Sequence, residues 1–136
     1  MLKAKNLLES NSYTCVVIKG DSFVSSNFTG IMPIMNWIAE DSEILKDSYI
    51  ADRAIGKAAA LLMIYSNVKE VYAGIISEHA LECFKKYNIP VSYTKKVPYI
   101  LNRTQSGMCP MEQACLETSE PKEAYEILKN KLKKAL

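Results

Sequence analysis

A cysteine and a carboxylate stand close together in the run Gly107-Met108-Cys109-Pro110-Met111-Glu112. Proline is favoured at the first position of a helix, so Pro110 predicts that the sulfur of Cys109 lies at a helix N-terminus, a setting that stabilises a thiolate. Glu112 follows at the spacing from which a carboxylate can assist the thiolate or close a capping box on the cap residue. Cys109 and Glu112 are therefore candidate catalytic residues, and a simple helix start is the competing interpretation.

The base and metal ligands that such chemistry uses are sparse in this chain. A nucleophilic thiol needs a base, and the single histidine is His79. His79 and Cys83 share one face of a predicted helix, but two ligands do not make a metal site. The cysteines at 15, 83, 109 and 115 show no CxxC spacing, which favours reduced thiols. We expect no metal and no cofactor.

A second group of polar residues stands at the predicted starts of two helices, over 52–65 and 78–87. In α/β sheets, ligands collect where parallel strands end and helix N-termini present unpaired N–H groups. The group therefore predicts a site for a small anionic or nucleotide-like ligand. Its members are Asp52, Arg53, Lys57, Ser77, Glu78 and His79. An N-cap role for Asp52 and a snorkelling or paired role for Lys57 are the competing interpretations.

The elements that must position these residues alternate along the chain. Residues 13–18 and 22–26 flank Lys19-Gly20-Asp21, which predicts a β-hairpin. The segment 52–65 has no polar face after Lys57, which is typical of a buried helix. The other predicted elements are helices over 2–9, 31–39, 78–87, 109–118 and 121–136, and strands over 68–76, 91–93 and 97–101, with a possible short strand over 48–51. A hairpin followed by β-α-β crossovers predicts a three-layer α/β/α sandwich with a mixed sheet.

Composition limits the number of domains and the classes of partner that the chain can have. The chain of 136 residues is 49% hydrophobic and 24% charged, which predicts one domain over 1–136. Its net charge of +2 disfavours nucleic acid as a general partner. No window approaches the about 20 apolar residues of a membrane span, and the first residues lack a secretory signal pattern, so we expect no membrane contact and a cytoplasmic location.

Two phrases carry a resemblance to a known family. Ala51-Asp52-Arg53-Ala54-Ile55-Gly56-Lys57-Ala58-Ala59-Ala60 and the run ending at Glu112 resemble a small domain-of-unknown-function family of the cytidine-deaminase-like superfamily. Active members of that superfamily hold zinc with a His/Cys-x-Glu motif and a Pro-Cys-x-x-Cys motif at two helix starts. Neither motif is present here. The resemblance implies a cytidine-deaminase-like fold and, without these ligands, argues against zinc deaminase activity.

Three functions from different classes remain open. The preferred one is a metal-independent module that binds a nucleotide-like or anionic small molecule between the two helix starts. The second is a metal-independent enzyme with Cys109 as thiolate nucleophile, assisted by His79, Asp52 or Glu112. The third is a non-catalytic homodimer or higher homo-oligomer, in which the pocket is filled and the helix over 121–136 packs against another copy.

Overall fold

A computed structural model describes residues 1–28, 30–101, 107–108 and 110–135, with side chains through residue 132. This part of the chain contains six helices and five strands. The helices are α1 (Leu2–Ser10), α2 (Met32–Glu40), α3 (Lys57–Tyr65), α4 (Glu78–Lys86), α5 (Pro110–Ala114) and α6 (Pro121–Ala135). The strands are β1 (Cys15–Lys19), β2 (Ser22–Ser26), β3 (Tyr49–Ile55), β4 (Glu70–Ser77) and β5 (Val91–Val97).

The strands form one mixed sheet in the order β2-β1-β3-β4-β5. The hairpin β1-β2 is antiparallel and turns at Gly20, whose φ of 60° suits a two-residue loop. β1 is also antiparallel to β3, whereas β3, β4 and β5 run parallel to one another. The α/β class and the mixed sheet, with its antiparallel hairpin at one edge, are thus confirmed.

The largest departure from the sequence-based prediction is β3. A helix was expected over 52–65, but Tyr49–Ile55 is an inner strand and the helix begins only at Lys57. Hydrogen-bonded neighbours on both sides, β1 and β4, hold this segment extended, and such tertiary pairing overrides a local pattern. The two strands expected over 91–93 and 97–101 are instead the single strand β5, after which Leu101 forms an isolated bridge with Met108.

Two apolar clusters pack against the sheet. Neighbouring strand residues point to opposite faces, and accordingly Val17 belongs to the larger cluster while Val16 and Ile18 belong to the smaller one. The smaller cluster is formed with α1, and the larger one includes α3, whose residues from Lys57 to Ile64 are all buried. α3 lies against α4 and α6, as expected for a helix without a polar face. Within the described residues, no helix has the length and apolar character needed to cross a membrane.

Candidate functional site

The site is built where two parallel strands end. Ile55 of β3 pairs with Ile76 of β4, and the next residues lead directly into α3 and α4. Because parallel strands end at the same edge of a sheet, the two helices begin side by side there. Four of the six predicted ligand-binding residues lie at this edge. They are Lys57, Ser77, Glu78 and His79.

The start of α3 is capped by a carboxylate from a distant part of the chain. Gly56, the residue before the helix, supplies no side chain, and the backbone N–H of Lys57 donates to Glu112 Oε1 at 3.2 Å. The other oxygen of Glu112 accepts from the backbone N–H of Ile100 at 2.7 Å. Glu112 is only 2% exposed. An anion is therefore held at the positive end of the α3 dipole, inside the protein.

Gly56 is required by this arrangement. A Cβ atom at position 56 would lie 3.0 Å from Glu112 Cδ and 3.1 Å from Ile100 Cγ1, closer than ordinary van der Waals contact. The Glu112 carboxyl group thus occupies the space that a side chain before α3 would fill. The sequence assigned Glu112 to catalysis or to the cap of its own helix; its two hydrogen bonds instead join α3 to the segment that follows β5.

The side chain of Lys57 brings a buried positive charge to the same region. It is 8% exposed, and its Nζ donates to the carbonyl oxygen of Leu116 at 2.8 Å. Burial raises the pKa of the Cys115 thiol to about 11 and raises the pKa of the Cys83 thiol, and the Lys57 charge only partly offsets both shifts. These two thiols are therefore held protonated and inert.

The start of α4 carries a conventional helix cap beside His79. Ser77 Oγ accepts from the backbone N–H of Ala80 at 3.1 Å, as its place before the helix predicted. Glu78 is exposed in the first turn, where its charge favours the helix dipole. His79 is half-buried, and its Nδ1 is buried without a hydrogen-bond partner among the described residues. This nitrogen is shielded from solvent and leaves one hydrogen-bonding position of His79 unused among the described residues.

The side chain of Arg53 lies on the face of the sheet that packs against α1, away from the starts of α3 and α4. Its Nε donates to the carbonyl oxygen of Tyr13 at 2.6 Å, and its Nη2 donates to those of Leu8 and Asn11, each at 2.7 Å. These bonds satisfy carbonyl groups at the end of α1 and just beyond it. The expectation that Arg53 stands at a helix start is wrong, because it lies in β3 and fastens α1 to the sheet.

Asp52 is likewise a strand residue rather than the N-cap of α3. It lies directly opposite Cys15 across the β1–β3 pair and is 6% exposed. Burial raises its pKa to about 7, although hydrogen bonds from the Ala54 N–H and from Cys15 act in the opposite direction. Burial, and then the charge of Asp52, raise the pKa of Cys15 well above its usual value. Asp52 and Cys15 form a buried protonatable pair inside the sheet.

Of the two predicted catalytic residues, Cys109 and Glu112, the structure describes only Glu112. Cys109 lies outside the described residues, and the carboxylate of Glu112 is engaged by two backbone amides. Within the described ranges, no group of three His, Cys, Asp or Glu side chains is arranged to hold a metal ion. The described side chains at this edge of the sheet are the buried Lys57 and Ser77, the exposed Glu78 and the half-buried His79.

Comparison with known proteins places these features in a family. The model of the family described as "Domain of unknown function (DUF1893)" matches residues 3–132. A crystal structure of a DUF1893 family protein from Thermotoga maritima matches with a TM-score of 0.88 and 28% identity, covering 96% of this chain and 88% of that one. No curated protein matches the chain.

Proposed function

The chain belongs to the DUF1893 family, and we propose that it is a metal-independent binding module for a small anionic or nucleotide-like molecule. The ligand binds at the edge where α3 and α4 begin. Its anionic group takes the position that the Glu112 carboxylate occupies at the start of α3. This proposal rests above all on one observation, the carboxylate held by the first backbone N–H of α3.

The local chemistry supports an anion at this position. Unpaired N–H groups and the helix dipole attract negative charge to a helix start. Gly56 has no side chain that would cap the helix from within, so the space before Lys57 accepts a group from elsewhere. The buried ammonium group of Lys57 adds a full positive charge to the region. A phosphate or carboxylate of a ligand would accept from the same backbone N–H groups as Glu112 does.

The fold supports a ligand at this edge as well. The strand order, together with apolar clusters that contain alternate residues of β1, favours a three-layer α/β/α sandwich of the cytidine-deaminase-like kind. In that fold the starts of two helices frame a pocket. Here the two starts carry Gly56-Lys57 and Ser77-Glu78-His79, which lack the zinc-binding motifs of active deaminases. Binding without metal is the chemistry that these residues can supply.

His79 supports the nucleotide-like part of the proposal. Its Nδ1 has no partner among the described residues, and an imidazole nitrogen can either donate or accept a hydrogen bond. Because Nδ1 is shielded from solvent, a hydroxyl or ring nitrogen of a ligand would reach it once the imidazole turns toward the edge. The thiolate enzyme has less support, because the carboxylate that would assist Cys109 is already hydrogen-bonded to two backbone amides.

A thermal-shift screen of nucleosides, nucleotides and sugar phosphates tests the proposal. A ligand present at a hundred times its dissociation constant stabilises the native state by about 2.7 kcal/mol, which raises the melting temperature of a chain this long by about 9 °C. The same compound should give a larger shift in Glu112→Gln, because the internal competitor is then uncharged. Glu126→Gln, which removes an exposed carboxylate of α6, is the matched control and should respond like the wild type.

A variant of the buried lysine separates this site from any other. Lys57→Met keeps the apolar stem but removes the charge, and it should reduce the shift given by anionic compounds. The proposal fails if no compound stabilises the wild type. It also fails if a stabilising compound gives equal shifts in the wild type, Glu112→Gln and Lys57→Met, because that compound then binds elsewhere.

A further inference from the structure

The strand β2 forms an unprotected edge of the sheet. It pairs with β1 on one side and is the last strand in the sheet order. From Ser22 to Phe28 the chain has no charged residue and no proline. Natural edge strands usually carry such residues, because open backbone groups otherwise recruit another strand. The opposite edge, β5, does carry them, at Lys95 and Lys96.

Apolar side chains accompany this open edge. Phe23 is 47% exposed, Val24 is 38% exposed, and Phe28, just beyond the strand, is 69% exposed. The backbone at Phe28 is nevertheless fixed: its carbonyl oxygen accepts from Thr14 Oγ1, and its N–H donates to Ser26 Oγ at 3.0 Å. Phe28 is therefore an exposed aromatic residue whose backbone is held beside the edge.

A cavity of about 260 Å³ opens beside the same strand, at the end nearest the hairpin turn. Its apolar lining comes from Val17, Phe23, Val24 and Ile44, and Lys19 Nζ donates to the carbonyl oxygen of Glu43 at its rim. An apolar cavity of about 150 Å³ is enough to bind benzene. The cavity is thus large enough for the ring of a phenylalanine.

We propose that β2 pairs with β2 of a second copy of this chain, in an antiparallel arrangement about a two-fold axis. With the axis at Val24, Phe23 lies opposite the partner's Ser25, and Ser22 lies opposite the partner's Ser26. All of these pairs are neutral, so no like charges oppose pairing. The sheet then continues through the dimer.

The two-fold arrangement explains why the same edge bears both an aromatic side chain and a cavity. The partner's Ser26, the last residue of its strand, lies opposite Ser22, which lines the cavity, so the partner's Phe28 follows just beyond that point, at the end of the strand nearest the hairpin turn. Symmetry places Phe28 against the partner's cavity in the same way. A self-complementary patch of this kind is what a two-fold interface requires, and it favours a second copy over an unrelated peptide.

Sedimentation analysis of the full chain over a wide range of concentration tests the proposal. The wild type should dimerise reversibly. Val24→Lys places two lysines opposite each other at the axis and should give a monomer. Ser92→Lys adds the same charge to the exposed strand β5 and should leave the dimer intact. Phe28→Ala should weaken association by about tenfold or more, because it removes the aromatic ring from both symmetry-related cavities.

Amide hydrogen exchange locates the interface independently of the variants. Protection at Phe23 and Ser25 should rise with protein concentration, and protection along β5 should not. Circular dichroism of Val24→Lys shows whether the monomer is still folded. A wild type that stays monomeric overturns the proposal, and so does a dimer that survives in Val24→Lys, because its interface is then another surface such as α6. Binding of an added neutral peptide by a monomeric chain would assign the edge to a different occupant.

Discussion

Replacing Glu112 with glutamine is the sharpest perturbation of the candidate site. The side chain keeps its shape, but one of its two oxygens becomes an NH₂ group. The two backbone N–H groups that Glu112 accepts from, those of Lys57 and Ile100, then compete for one oxygen. One donor is left facing another donor in a site where the side chain is 2% exposed.

The expected cost follows from these contacts. A buried donor without an acceptor costs about 1–3 kcal/mol, and loss of the negative charge at the start of α3 costs up to about 1 kcal/mol more. The free energy of unfolding should therefore fall by about 1–4 kcal/mol. For 136 residues, 1 kcal/mol corresponds to about 3.5 °C, so the melting temperature should fall by about 3.5–14 °C.

Thermal and urea unfolding of the two proteins measure this cost directly. Glu126→Gln serves as the control, because a change at an exposed surface position alters stability by no more than about 0.5 kcal/mol. If Glu112→Gln melts within about 2 °C of the wild type, the carboxylate does not hold α3 as described, and the reasoning is refuted.

Three further predictions concern neighbouring features. Gly56→Ala should destabilise the chain by about 1–3 kcal/mol, because the added Cβ meets Glu112 Cδ at 3.0 Å. The loss of stability caused by Gly56→Ala should be smaller in a chain that also carries Glu112→Ala. Unfolding curves of the two single variants and the double variant measure this difference. Arg53→Ala should cost about 1–3 kcal/mol and increase hydrogen exchange in α1, since three carbonyl groups lose their donor. The folded pKa of Asp52, about 7, exceeds the ordinary 3.8, so its folded form binds the proton more tightly and stability falls as pH rises between these values. Relative to the wild type, Asp52→Asn should therefore gain up to about 1.4 kcal/mol per pH unit across that window, and the exposed control Asp21→Asn should not; equal pH profiles for wild type and Asp52→Asn would contradict the assignment.

Features set by neighbouring residues could be predicted from the sequence. The hairpin depends on the local run Lys19-Gly20-Asp21, and the cap of α4 depends on Ser77 standing just before the helix. The buried character of α3 follows from its lack of any polar face. Each of these was predicted because the residues that decide it are adjacent in the chain.

Features set by distant residues could not be predicted in the same way. Asp52 and Arg53 look like the polar start of a helix, but their partners are Cys15 in β1 and backbone carbonyl groups at the end of α1. The capping of α3 by Glu112 joins residues 55 positions apart. Gly56 was the available signal, because a helix that begins after glycine without a capping side chain of its own needs an acceptor from elsewhere.

The backbone amide of Lys57 reports most directly on the central claim that a ligand anion takes the place of Glu112. Its signal in a two-dimensional ¹H–¹⁵N spectrum can be followed while inorganic phosphate or a nucleoside monophosphate is added to the wild type and to Glu112→Gln. The account predicts a saturable shift of this amide with at least one of these probes, at lower probe concentration in the variant. A Lys57 amide that stays unmoved in both proteins, at concentrations that saturate any other response, would contradict it.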